Sequence, residues 1–314
     1  MKKSLVLSCV ASVALALSID YFVIREVPPS ASYVYAAEKI DFNQGSMSDE
    51  EYINHIYQAF AKLDLIEMTT DSSIGDLKAK MHMLVDRKLD ALQAAVESNG
   101  MKMSLYRYGK EVFYDPIVTL RSIAPMFQTA DKDFDKKIEE LATKMEGRIV
   151  RDEDGEFGSD LPDVEEIFVN QTLKFTSVER EGDIIRGIVD ASVFSEAGVL
   201  GLKLPANVLS EAAPKTMFEV NAKAKTFKIT SKISLPKMDE LKEKASSMDD
   251  HMEENEALRS IKELTGFSVG AMFGDMESIV ELKETTEKLQ EVSELNPLTE
   301  DEFEQLKESL NLDF

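Results

Sequence analysis

The chain has 314 residues, 43% of them hydrophobic, a formal charge of −23 and a single cysteine, Cys9. Length and apolar content allow one large domain or two smaller ones and argue against disorder throughout. The charge excludes nucleic acid, because a phosphate-binding surface needs Lys and Arg gathered on one face. With Cys9 inside the leader, the rest has no disulfide, thiolate zinc site or cysteine nucleophile.

Lys2 and Lys3 precede an apolar run from Leu5 to Ile24 that is interrupted only by small residues and Asp20. Such a start is a targeting segment. Ala14-Leu15-Ala16 and Val34-Tyr35-Ala36 fit signal cleavage sites, while the run also approaches the ~20 residues that span a bilayer as a helix. A cleaved signal and an uncleaved anchor through residues 4–24 both export the remainder, to the periplasm or the outer face of a membrane, with Lys2 and Lys3 kept inside in the second case. Cys9 lies within the apolar core rather than after it, which argues against lipidation. Residues 1–24 are thus read as leader and residues 25–45, with Pro28-Pro29, as a linker.

An α+β domain is expected over residues 46–236. Ser48 and Glu51 have capping-box spacing, and Ile53, Ile56, Tyr57 and Phe60 recur as on a helix. A longer helix is predicted from Ser72 to Ser98, on the stripe Ile74, Leu77, Met81, Leu84, Val85, Leu89, Leu92 and Val96, ended by Asn99-Gly100. The period then changes to two through Met101, Met103 and Leu105. A turn at Tyr108-Gly109-Lys110, a return strand Glu111 to Tyr114 and Pro116 complete a hairpin. A helix over Asp131 to Glu146 follows, with Phe134, Ile138, Leu141 and Met145 on one side.

The middle of the chain is strand-rich. Leu173 and Phe175 alternate before a turn at Glu181-Gly182-Asp183, and Val189, Ala191 and Val193 alternate after it. Phe218, Val220, Ala222 and Ala224 lie on even positions, but Phe227, Ile229, Ile233 and Leu235 lie on odd ones. That phase slip requires a bulge or turn near Lys225. Lys223, Lys225, Lys228 and Lys232 are expected on the wet side.

From Lys237 to Phe314 there are 22 acidic and 8 basic residues, and this stretch is read as an acidic helical region packed on the domain. Met238, Leu241, Ala245, Met248 and Met252 make one seam, and Leu282, Leu289, Val292 and Leu295 a second. Thr299 and Glu302 form another capping box, ahead of Phe303, Leu306 and Leu310. The fold class expected is α+β: antiparallel hairpins packed with long amphipathic helices, a helical C-terminal region and an N-terminal signal or anchor helix.

Gly266-Phe267-Ser268-Val269-Gly270 matches the nucleophile-elbow pattern, with Ser268 as the candidate nucleophile. That chemistry needs a strand before the serine and a histidine after it in the chain. Only His251 is near, and it precedes Ser268, so context and order argue for a plain glycine turn. Asp249, His251 and Glu253 form a weak candidate metal set, against which stands the ordinary solvated acidic helix face. Asp152, Asp154, Gly155 and Glu156 fail calcium-loop spacing and read as a polar turn. Among 59 acidic residues no catalytic pair can be singled out by spacing, and no phosphate-binding loop or dinucleotide fingerprint is present, so no cofactor is expected.

Met81, Met83, Met101, Met103, Met238, Met248 and Met252 are candidates for an adaptable apolar groove, weighed against plain core filling. The function expected is therefore a non-catalytic envelope protein that binds a partner protein or an apolar ligand. The alternative is a secreted hydrolase using Ser268 or a carboxylate pair.

Overall fold

The computed structural model describes residues 39–74, 77–98, 100–127, 133–153, 155, 172–189, 215–234 and 275–312. Helix α1 (Asp49–Phe60) starts where expected. The Ser48 hydroxyl accepts the Glu51 amide at 3.3 Å, and the Glu51 carboxylate accepts the Ser48 amide at 2.8 Å. Tyr52, Ile53, Ile56, Tyr57 and Phe60 are buried along one side, as the helical spacing requires.

After α1 the expectation of a long helix fails. Ser72–Ser98 is strand: it holds the end of β1 (Leu65–Ile74), all of β2 (Leu77–Asp86) and β3 (Ala91–Ser98). The apolar residues there satisfy two periods at once. Met81, Met83 and Val85 alternate, as do Leu92, Ala94 and Val96, and these two trios face each other in register. Pairing with neighbours on both sides favours the period of two, and the residues between Asp86 and Ala91 make the turn, with Asp90 at φ 48°. Gly100, at φ 85°, belongs to the next hairpin turn rather than to a helix cap.

The remaining strands are β4 (Met101–Tyr108), β5 (Glu111–Tyr114), β6 (Val150–Arg151), β7 (Phe175–Glu181), β8 (Ile184–Val189), β9 (Lys215–Asn221), β10 (Thr226–Ser234) and β11 (Asp275–Glu284). All join one antiparallel sheet in the order β6-β5-β4-β3-β2-β1-β11-β10-β9-β8-β7. Two meanders meet at its centre, where β1 pairs with β11. The hairpins at Gly109 and Gly182 lie where expected. The phase slip before Phe227 is a turn, in which Lys225 has φ 55° and the Asn221 side chain accepts the Ala224 amide at 2.9 Å.

The other helices are α2 (Pro116–Phe127), α3 (Phe134–Met145), α4 (Val292–Leu295) and α5 (Glu300–Ser309). None of the described helices exceeds 12 residues, so a sheet packed with long amphipathic helices is not what forms. The seam expected from Leu282 to Leu295 dissolves likewise. Leu282 is a buried residue of the central strand β11, Leu289 packs on Leu84 and Ala91, and only Val292–Leu295 is helical. The Met238–Met252 seam lies outside the described residues. The Thr299 capping box on α5 is as expected, with reciprocal bonds of 3.2 and 2.9 Å.

α1 packs on β7, β8 and β9, whereas α2 lies along β4 and α5 contacts α3 and β6. Phe134, Ile138, Leu141, Met145 and Phe303 form a second core there with Ile117 and Leu120. The segment from Glu284 to α5 traverses the sheet. The Tyr108 hydroxyl donates to the Gln290 carbonyl at 2.8 Å, and Leu298 bridges Val150 in parallel. Ahead of α1, Ile40 is buried and donates its amide to Glu284, and Phe42 accepts the Tyr52 hydroxyl at 2.7 Å. Residues 40–42 are thus part of the folded body.

Candidate ligand-binding face

Register sorts the sheet's side chains into rows on two faces, since alternate residues of a strand point to opposite sides. One row of the inner face runs Ile185, Val220, Phe227, Leu282, Met68, Met83, Ala94 and Leu105. The next runs Gly187, Phe218, Ile229, Val280, Thr70, Met81, Val96 and Met103. α1 covers the β7–β10 end of these rows. Tyr57 stands edge-on to Phe218 at 6.0 Å and tilted over Phe227 at 5.8 Å. Gly187 makes this approach feasible, because a β-carbon there would meet the Phe175 ring at 2.5 Å and Ile53 at 3.0 Å.

Toward β1–β4 the same two rows become methionine-rich. Met68, Met81, Met83 and Met103 are all buried and lie on β1, β2 and β4, with Met68 directly opposite Met83. Met101 follows two residues before Met103 and packs on the same core. A third row carries hydroxyls: Thr216, Ser231, Ser278, Ser72, then Ala79 and Ser98. Ser72 and Ser278 hydroxyls are 2.9 Å apart, and Thr216 and Ser231 3.3 Å. All are buried, so these mutual bonds offset the desolvation of the hydroxyls.

The outer face is polar. A 630 Å³ trough crosses it from Lys228 to Val118 of α2, because Thr69, Ala95 and Ser104 are small and stand beside the taller row Asp71, Lys80, Glu97 and Lys102. That row alternates in sign. Lys80 lies 3.9 Å from Asp71, and Lys102 3.6 Å from Glu97. Exposed pairs of this kind contribute about 0–1 kcal/mol, as a solvated face would. His82 sits in the trough on β2, not on a helix, 3.0 Å from Glu67. Near the sheet's end, burial, then Tyr106, then Asp86 push the Tyr108 phenol up to about 12. Burial also raises the Asp115 carboxyl, although that group accepts the Ile117 and Val118 amides at the start of α2.

The candidates from sequence divide accordingly. Ser268, Asp249, His251 and Glu253 lie outside the described residues, as do Met238, Met248 and Met252. Met81, Met83, Met101 and Met103 are brought together on one face, and Met68 joins them. Sequence reasoning missed Met68, although its alternation with Ile66, Thr70 and Ser72 was available. His55 is exposed on α1. Asp152 donates its amide to Val112, as part of the sheet edge. Among the described residues no group of His, Cys, Asp and Glu is placed to hold a metal ion, and no helix is long and apolar enough to cross a membrane. Residues 4–24 lie outside them. Compared with models of known protein families, with curated proteins and with solved structures, the chain matches none.

Proposed function

We propose that this chain is an exported or membrane-tethered, non-catalytic envelope protein that binds an apolar ligand or partner surface on the methionine-lined part of its inner face. The observation that carries this reading is the gathering of Met68, Met81, Met83 and Met103 from β1, β2 and β4 on one face, between the helix over β7–β9 and those around β4–β6. Unbranched thioethers have many rotamers and a polarizable sulfur, so a surface built from them repacks around ligands of different shape at little cost. Leu or Val at the same sites would set a narrower shape. The leader and the acid-rich composition support the exported setting and add nothing about catalysis.

The test is to purify the full chain from membranes of its native host, extract it with organic solvent and analyse the extract by mass spectrometry. Expected is an apolar compound in near-stoichiometric amount that is lost from a Met81→Asp preparation which keeps its far-ultraviolet circular dichroism. An empty extract, together with no saturable uptake of the probe anilinonaphthalene sulfonate, would leave the methionines as core and sink the reading.

A further inference from the structure

The two edges of the sheet are finished differently. At β6 the edge is closed: Leu298 donates to the Ile149 carbonyl at 2.8 Å and accepts the Arg151 amide at 2.9 Å, and α5 packs alongside. At the other end no strand pairs with the outer side of β7 among the described residues. Ser177, Glu179, Arg180 and Glu181 are exposed there.

The Gly182-Asp183 turn sets Glu181 opposite Ile184, and in a two-residue hairpin that pair exchanges both backbone bonds. Alternation along an antiparallel ladder then turns the N–H and C=O groups of Arg180 and Val178 away from β8. We propose that the β7 edge is a docking site for an extended polypeptide strand that carries basic residues at alternate positions. Backbone complementarity selects the extended conformation, and the flanking side chains select the composition.

On the outer face the edge presents Glu179 and Glu181. Glu181 takes Arg186 at 3.0 Å, whereas Glu179 makes no ion pair among the described residues. The one cation of the edge, Arg180, is drawn to Asp49 at 2.5 Å and does not screen Glu179. On the inner face Val178 packs against the core, which calls for apolar residues between the basic ones. A register irregularity between Phe175 and Ser177 breaks the strand at its start, so docking is confined to Ser177–Glu181.

The experiment uses the full chain and a nine-residue capped peptide in which Val and Lys alternate, with a block peptide of the same composition as control. Hydrogen exchange should show the Val178 and Arg180 amides slowed at least tenfold by the alternating peptide and unchanged by the block peptide. Glu179→Lys should weaken the Val-Lys peptide at least tenfold and improve an alternating Val-Glu peptide. Equal binding of the alternating and block peptides, or protection confined to amides away from β7, would overturn the proposal.

Discussion

Asn54 of α1 holds Leu173, 119 residues later, as a strand would: its side-chain amide donates to the Leu173 carbonyl at 3.0 Å and its oxygen accepts the Leu173 amide at 2.7 Å. Both residues are buried, so the bonds have no solvent substitute. Asn54→Ala should cost about 1–3 kcal/mol by leaving buried backbone groups unpaired. Urea unfolding would read this as a lower midpoint. Asn54→Asp should not restore stability, because it cannot donate to the carbonyl.

Gly187→Ala should destabilise by about 1–3 kcal/mol, the usual cost of overpacking a filled core. The neighbours are a ring and a helix side chain, so relief must come from one of them. Adding Phe175→Leu should recover part of the loss, measured by thermal unfolding of single and double variants. No recovery would mean that the backbone, rather than Phe175, sets the limit.

Glu51 and Glu302 are held below the usual glutamate range by their capping bonds, chiefly to the backbone amides of Ser48 and Thr299. A folded-state pKa below the unfolded one stabilises fully above the unfolded value, about 4.3 for glutamate, and that contribution disappears as pH falls through the folded value. Both helices should therefore loosen on the acid side of that window. Glu51→Gln should flatten the acid limb of stability against pH while changing stability little at neutral pH.

Met83 is fully enclosed, so Met83→Ala should cost about 2–5 kcal/mol, whereas Met83→Leu should stay under about 1.5 kcal/mol. If the methionines serve adaptability, the leucine variant keeps its stability and loses breadth of ligand uptake. Uptake unchanged across Met68→Leu, Met81→Leu and Met83→Leu together would assign these side chains to packing alone.

Local signals were legible wherever a few neighbouring residues decide the outcome. The Ser48 and Thr299 caps, the glycine turns at Gly109 and Gly182, the turn at Lys225 and the helix burying Phe134 to Met145 all follow from short-range geometry. The segment from Ser72 to Ser98 was misread because its apolar residues are dense enough to satisfy two periods, and only a cross-strand neighbour selects between them. Leu282 and Leu289 share helical spacing by coincidence of a strand end and a crossing segment.

By itself, the sequence determined that a chain with one cysteine forms no internal disulfide, and it determined the caps and the tight turns, because each depends on composition or on residues within a few positions. Tertiary structure alone decided that β1 meets β11 some two hundred residues on, that both meanders form one sheet, and that Met68, Met81, Met83 and Met103 share a face. Register between distant strands is set by the joint burial of whole rows of side chains, and no local window of the chain contains that information.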